Sequence, residues 1–174
     1  INLLEDLYAP VMHAPTIEDF KVELIKFGKK LGFDLVLADY GTPKPNRAWT
    51  SINNYPQKWL DLSPQFRSVD PVGAASIAAP LPVLWNIERY KKSGLGHVAE
   101  IFLPFGFAAG FDVPVHAPNG AVLNIGFSRD SQLPPDAVEL TRLVAEAQLF
   151  SNFALPALNR LLSHTQHTDF PKLT

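Results

Sequence analysis

The sequence contains no cysteine, which excludes disulfide bonds and thiolate metal sites. It also has no apolar run that approaches the roughly 20 residues needed to cross a bilayer, because proline, glycine, asparagine or charge interrupts each one. The first residues do not read as a signal peptide, since Glu5 and Asp6 break the apolar start. These absences predict a cytoplasmic protein without a membrane segment.

Charge is also scarce, and neither sign dominates. Charged residues make up 18% of the 174 residues, the formal net charge is −2, and hydrophobic residues make up 47%. A chain of this length is the size of one domain and can bury a large core. The absence of a basic excess predicts that this segment does not itself grip nucleic acid.

Hydrophobic periodicity and turn residues divide the chain into elements. Residues 16–31 are predicted as a helix, with Thr16 as N-cap, Asp19 three positions later and Gly32 as the stop. Pro118, Asn119 and Gly120 form the clearest hairpin signal. The other predicted elements are strands at residues 34–40, 47–52, 82–85, 107–115 and 121–128, short helices between residues 55 and 82, and helices at residues 95–105 and 134–162.

Five strands joined largely by hairpins, with helices before and after them, indicate an α/β fold. We expect a five-stranded antiparallel sheet in an α/β/α sandwich, the PAS/GAF-like shape of many small-molecule sensor domains. No internal repeat is visible.

Signatures of catalysis are missing from the sequence. It has no glycine-rich phosphate loop, no H-E-x-x-H, no G-x-S-x-G and no paired carboxylates. His164 and His167 stand three apart, but no acid lies near them at a helical spacing. We therefore expect neither an enzyme nor a metal site nor a cofactor.

Amphipathic aromatic residues gather around one acid. Tyr55, Trp59, Asp70, Trp85 and Tyr90 fall within 36 residues. Tyrosine and tryptophan combine apolar bulk with one hydrogen-bonding group, which suits a pocket that orients a small, partly polar ligand. The same residues could instead be core, with Asp70 as the N-cap of a helix that begins at Pro71. Both interpretations stay open on composition alone.

Spacing adds a resemblance to a known family. The runs Asn54-Tyr55-Pro56-Gln57-Lys58-Trp59, Val69-Asp70-Pro71-Val72 and Val83-Leu84-Trp85 resemble the acyl-homoserine-lactone-binding domain of LuxR-family quorum-sensing regulators. Leu31-Gly32-Phe33, Phe105-Gly106-Phe107 and the Asn119-Gly120 turn match as well. The resemblance covers residues 15 to 162.

The resemblance implies a role for each matching residue. Trp59 would donate its indole N–H to the lactone carbonyl, and Asp70 would accept the ligand's amide N–H. Tyr55 would donate its hydroxyl to the acyl carbonyl, and Trp85 would pack over the lactone ring, with Tyr90 nearby. Val72, Phe102 and Phe107 are further expected lining residues.

Strand alternation, carried over from the family, directs a second set of residues at the ligand: Leu37, Asp39, Asp112, Val122, Asn124 and Gly126. Many members carry Thr or Ser where Asp112 and Gly126 stand, and Ser128 could substitute for the latter. Buried carboxylates need a donor, a proton or solvent. Our hypothesis is that Asp39 or Asp112 recognises a hydroxyl or another donor on an unusual acyl group; ordered water or a shifted register is the alternative.

The resemblance also implies a domain organisation. Residues 1–162 would form the autoinducer-binding domain, and residues 163–174 a linker or tail toward a helix-turn-helix domain outside this chain, through which DNA would be bound. A homodimer through the last helix is expected, because Leu149, Phe150, Phe153, Leu155 and Leu158 exceed one apolar stripe. A helix buried on two sides within one domain would look the same.

Two other functions remain open. One is a LuxR-type orphan receptor for a signal that is not an acyl-homoserine lactone, which the polar residues Asp39, Asp112 and Asn124 favour. The other is a lactone hydrolase on a similar sandwich, which would need an activated water or nucleophile beside Asp70.

Overall fold

Five antiparallel strands form one sheet between helices in the computed structural model, which describes residues 2–44 and 48–163. The strands are β1 (Leu35–Gly41), β2 (Thr50–Asn53), β3 (Val83–Asn86), β4 (Ala109–His116) and β5 (Val122–Arg129), in the spatial order β2-β1-β5-β4-β3. The helices are α1 (Leu3–Met12), α2 (Ile17–Lys30), α3 (Gln57–Leu62), α4 (Pro71–Ala78), α5 (Ile87–Lys92), α6 (Gly96–Phe102) and α7 (Ala137–Ser163). The predicted α/β/α sandwich of the PAS/GAF-like type is confirmed.

Helix α2 begins and ends where its sequence predicts. The Asp19 N–H donates to Thr16 Oγ1 at 3.1 Å, and the Thr16 hydroxyl donates to Asp19 Oδ2 at 2.6 Å. Gly32 follows the helix with a φ of +86°, a conformation that only glycine adopts without strain. Phe20 and Leu24 are fully buried on the inward stripe, so the apolar spacing and the caps specify the same helix.

The predicted β4–β5 hairpin is also confirmed. The Ala121 N–H donates to Asn119 Oδ1 at 3.0 Å, and Gly120 has a φ of +83°. This turn sets His116 opposite Val122 and Asp112 opposite Gly126. The two strands at the centre of the domain therefore have one defined register.

The sheet has two chemically different faces. Its back face packs against α1, α2 and α7 and takes Leu123, Ile125 and Phe127 from β5, all fully buried. Its front face takes Asn124, Gly126 and Ser128 from the same strand. Paired residues on β1 and β4 follow the same alternation, so Leu37, Asp39 and Asp112 share the front face.

The first helix, α1, was not predicted. It carries Pro10 inside its last turn, and its exposed side includes Leu3 and Leu7. Its inner side packs on α7, where the Tyr8 ring stacks on Phe153 with centroids 4.9 Å apart. This helix covers apolar residues of α7 that we had expected to meet a second copy.

Several predicted boundaries were wrong. Helix α5, between β3 and Gly94, was missed, and the predicted helix at residues 95–105 is α6 followed by a 3-10 turn at Leu103–Phe105. Phe107 precedes β4, and α7 begins at Ala137 and continues through Pro156. The predicted linker, residues 163–174, lies outside the described residues beyond Ser163. Within residues 2–44 and 48–163, no helix is long and apolar enough to span a membrane.

Gly110 of β4 lies where atoms of both neighbouring strands, β3 and β5, approach the β4 backbone closely. A Cβ at this position would collide with the Phe127 carbonyl oxygen and lie 2.8 Å from Trp85 Cζ2. We expect Gly110→Ala to lower the free energy of unfolding by about 2–3 kcal/mol through overpacking. Urea unfolding followed by circular dichroism measures this loss.

Gly73→Ala is the matched control, because the added Cβ would meet only Asp70 Oδ2, at 3.6 Å. Its position inside α4 predicts a gain of about 0.5–1 kcal/mol. Equal effects of the two substitutions would contradict this account of the close approach.

Candidate functional site

Aromatic side chains join the short helices to the front face of the sheet. The Trp59 ring, 7% exposed on α3, lies 4.8 Å from Phe102 and 5.2 Å from Phe107, centroid to centroid. Tyr55 meets Phe107 edge-on at 4.9 Å. Tyr90 of α5 contacts Phe102 at 5.1 Å and Trp85 at 6.0 Å. The predicted aromatic residues therefore form one continuous cluster.

Asp70 is anchored beside this cluster by two hydrogen bonds to one of its oxygens. The Val72 N–H donates to Asp70 Oδ1 at 3.0 Å, and the Tyr90 hydroxyl donates to the same oxygen at 2.9 Å. The first bond is the predicted N-cap of α4, with Pro71 at the first helical position. Among the described residues no hydrogen bond reaches Asp70 Oδ2, which lies 3.6 Å from where a Cβ of Gly73 would be, so this acceptor of the partly buried acid is free for a further donor.

A buried polar pair lies on the front face between β4 and β5. Asn124 Nδ2 donates to Asp112 Oδ2 at 2.6 Å, and the two residues are 6% and 8% exposed. They are diagonal neighbours across the two strands: Asp112 stands opposite Gly126, and Asn124 comes two residues before Gly126 on β5. Gly126 has no side chain and so makes room for the Asp112 carboxyl group. Asp112 Oδ1 lies 3.2 Å from the position that a Cβ on Gly126 would occupy.

Burial changes the protonation of this pair's acid. Burial raises the pKa of Asp112 to about 7, with a further increase from the negative charges of Asp70 and Asp39. Hydrogen bonds from Asn124 and Trp85 act in the opposite direction. Near neutral pH, Asp112 is therefore divided between its neutral and charged forms.

Asp39 and Tyr55 complete the polar part of the front face. Asp39 of β1 stands opposite Asn124 of β5. Burial raises the pKa of Asp39, although a hydrogen bond with Ser51 and the charge of Arg67 favour its charged form. Burial raises the pKa of Tyr55 most, and the negative charge of Asp112 raises it further, whereas hydrogen bonding with Ser128 lowers it. Asp39 and Tyr55 are only partly buried, whereas Ser128 is 3% exposed.

All of the predicted site residues lie on the front side of the sheet, including Val72, at 4% exposure, and the partly buried Leu37. Sequence reasoning missed Phe66 and Phe105, which lie against Trp59 at 6.4 Å and 5.7 Å. Both follow a proline within a short 3-10 turn, where no periodicity identifies the inward side. The only available signal was their aromatic character.

Two surface grooves lie outside this region. One, of about 180 Å³, is lined by residues of α1, α2 and α7, among them Tyr8, Phe27 and Phe150. The other, of about 490 Å³, separates α7 from the segment that leads into β3, with Pro82 and Val144 among its lining. In residues 2–44 and 48–163, no cluster of three or more His, Asp and Glu is arranged to hold a metal ion.

The raised pKa of Asp112 predicts a pH-dependent stability. Since the folded pKa of about 7 exceeds that of an unfolded aspartate, the folded state binds this proton more tightly. The stability that the folded protein gains from holding this proton is fully present at low pH and is lost as the pH rises through the folded pKa of about 7. We expect Asp112→Asn to gain roughly 2–4 kcal/mol relative to the parent protein between pH 4.5 and pH 8.

Urea unfolding at the two pH values measures this difference, and Asp130→Asn, which changes an exposed carboxylate at the end of β5, is the control. If the stability curves of Asp112→Asn and the parent protein run parallel over this range, the titration belongs to other groups.

Comparison with known proteins identifies a family for this arrangement. The model of the autoinducer-binding domain family matches residues 16–158. A curated relative, the quorum-sensing-dependent transcriptional regulator RpaR of Rhodopseudomonas palustris, is 28% identical over 116 residues. The match covers 64% of this chain and 46% of RpaR, so the chain spans about half the length of this relative.

Solved structures share the fold. The N-acylhomoserine-lactone-dependent LuxR-family factor CepR2 of Burkholderia cenocepacia aligns with a TM-score of 0.74 and 24% identity, over 92% of this chain and 96% of that one. Escherichia coli SdiA aligns with a TM-score of 0.79 and 21% identity, over 99% of this chain and 73% of that one, and has also been solved with octanoyl-rac-glycerol. The chain belongs to the autoinducer-binding domain family of LuxR-type quorum-sensing regulators.

Proposed function

We propose that the domain encloses an N-acyl-homoserine lactone between the front face of the sheet and the short helices. The observation that carries the proposal is the Asp70 carboxyl group. Val72 and Tyr90 fix its Oδ1 beside a buried aromatic cluster, and among the described residues nothing is bonded to its Oδ2. An amide N–H of a ligand is the donor that this acceptor suits, because hydrogen bonds to a carboxylate are shorter and stronger than those between neutral groups.

Each neighbouring side chain has one role in this proposal. The Trp59 indole N–H, which has no hydrogen-bond partner in the part of the chain that the structure describes, donates to the lactone carbonyl. The Tyr55 hydroxyl donates to the acyl carbonyl, and Trp85 packs over the lactone ring with Tyr90 beside it. Val72, Phe102 and Phe107 line the ligand. No residue in this assignment performs catalysis.

Ligand binding and folding are coupled in the proposal. The short helices α3 to α6 carry most of the ligand contacts, and a ligand that binds only the folded form stabilises it by mass action. The receptor would then persist in the cytoplasm when the signal is abundant. Regulation of transcription would require a DNA-binding domain beyond this chain, as in the regulators that it resembles.

We also propose that the domain forms a homodimer, but through a different surface from the one that the sequence indicates. Of the α7 residues that sequence analysis selected, Phe150 and Leu158 are buried, and Leu149, Phe153 and Leu155 pack against the same core. A better candidate surface is the groove between α7 and the segment before β3, which is lined by Pro80, Pro82 and Val144. Leu81, between the two prolines, adds a side chain that is 66% exposed.

A second candidate is a receptor for a small signal that is not a lactone. Its support is the polar front face, where Asp39, Asp112 and Asn124 lie beside the aromatic cluster. SdiA, which has the same fold, has been solved with octanoyl-rac-glycerol, and that molecule contains no lactone. This candidate requires the same enclosure but a different partner for Trp59 and Asp70.

The test of the proposal is recovery of the ligand. We expect an organic extract of the domain, purified after expression with a panel of acyl-homoserine lactones, to yield about one lactone per chain by mass spectrometry. Trp59→Phe keeps the apolar bulk but removes the N–H, and should weaken lactone affinity at least tenfold, equivalent to about 1.4 kcal/mol.

Tyr40→Phe is the matched control, because it also removes one hydrogen-bond donor from an aromatic side chain, but behind the sheet, where the Tyr40 hydroxyl donates to Asn159 Oδ1 of α7. It should leave lactone affinity within about twofold, and light scattering of the loaded protein reports whether it dimerises. Folded protein that extracts empty after every lactone would leave the non-lactone receptor as the function.

Asp70→Asn separates the structural and the binding roles of the acid. The variant keeps an oxygen to cap α4 but replaces the second acceptor with an N–H₂ donor, which opposes the ligand's amide N–H. We expect lactone affinity to fall more than tenfold while the ligand-free stability changes by less than about 1 kcal/mol. Calorimetric titration and urea unfolding measure the two effects; equal losses in both would assign Asp70 to the fold alone.

A further inference from the structure

One acceptor on the front face is buried without a partner. Asn124 is 6% exposed, and its Nδ2 is committed to Asp112 Oδ2 at 2.6 Å. Its other amide atom, Oδ1, is fully enclosed and accepts no hydrogen bond from the residues that the structure describes. Buried acceptors are nearly always paired, so an unpaired one on a ligand-binding face requires a donor from elsewhere.

The position of this acceptor connects it with the proposed ligand. Asn124 is on β5, the central strand, between Asp39 of β1 and Pro114 of β4. Asp112, its hydrogen-bond partner, stands two residues from Gly110 on β4, and Gly110 is opposite Trp85 of the aromatic cluster. The unpaired oxygen is therefore on the same face as the aromatic cluster and one side chain from its members.

The chemistry of the pair selects the group that can meet it. Asn124 Oδ1 is an acceptor only, so a keto oxygen placed against it would face repulsion and a methylene group would leave it unpaired. Resting on the proposed function, we propose that Asn124 Oδ1, with the Asp112 carboxyl group beside it, accepts a hydrogen bond from a hydroxyl on the acyl group of the ligand. The domain would then discriminate hydroxylated acyl chains from saturated and keto chains.

The experiment compares matched ligands. Calorimetric titration of the purified domain uses acyl-homoserine lactones of 4 to 12 acyl carbons, each as the unsubstituted, 3-oxo, 3-hydroxy and terminally hydroxylated form. We expect at least one hydroxylated lactone to bind tenfold or more tightly than both the unsubstituted and the keto lactone of the same length. A site built to pair a hydroxyl rejects analogues that lack it.

Two variants connect this preference to the pair. Asn124→Leu removes the acceptor at similar volume and should reduce the preference to about twofold or less. Asp112→Asn preserves the shape of the side chain and is the variant to use if Asn124→Leu does not fold. It should reduce the preference for hydroxylated lactones at least threefold. Ser151→Ala is the control, because Ser151 is fully buried on α7 behind the sheet and donates to the Ala147 carbonyl; it should keep the full preference.

The outcomes separate this inference from the proposed function. Tight lactone binding with no preference for a hydroxyl at any length would overturn the inference and leave the proposed function standing. A preference that survives unchanged in the folded Asn124 or Asp112 variant would place hydroxyl recognition elsewhere and overturn it too. Failure of every lactone to bind would overturn both.

Discussion

The two-residue alternation of β5 is the constraint on which the rest of the domain depends. This strand is buried on both faces, with Phe127 and its neighbours behind and Asn124 and Ser128 in front. A slip of one residue would turn Asn124 into the aromatic core and Phe127 toward the acids. The Asn119-Gly120 turn prevents the slip, so a local turn preference determines which side of the sheet is chemically able to bind a polar ligand.

The two sides of the sheet also differ in how they are held together. Behind it, α2 and α7 are long helices with continuous apolar stripes, and Phe27 stacks on Phe150 with centroids 4.0 Å apart. In front, α3 to α6 have six to eight residues each and are too short to be stable alone. They depend on the contacts of Trp59, Tyr90 and Phe102. The front layer is therefore the part whose order a buried ligand can change most.

Sequence alone predicted the features that local rules determine. Helix α2, the β4–β5 hairpin and the N-cap at Asp70 follow from spacing and turn chemistry. The shared face of Asp39, Asp112 and Asn124 was implied by the strand alternation of the family that the sequence resembles. Helix α1 was missed because Pro10 conceals its pattern, and the apolar excess of α7 was then assigned to a second copy rather than to α1. The unpaired oxygen of Asn124 was out of reach, because it depends on how two side chains meet across strands.

The Asp112–Asn124 pair is a place where the structure departs from what stability favours. Apolar side chains of similar volume would remove both the cost of burying the acid and the unpaired amide oxygen. The hydrogen bond of 2.6 Å between them offsets part of that cost but leaves Asn124 Oδ1 without a donor. Exceptions to polar pairing inside an otherwise consistent core are concentrated at functional sites. Since Leu123, Ile125 and Phe127 on the back face of the same strand are apolar and fully buried, the polarity of the front face is a local feature, and the proposed binding of a ligand accounts for it.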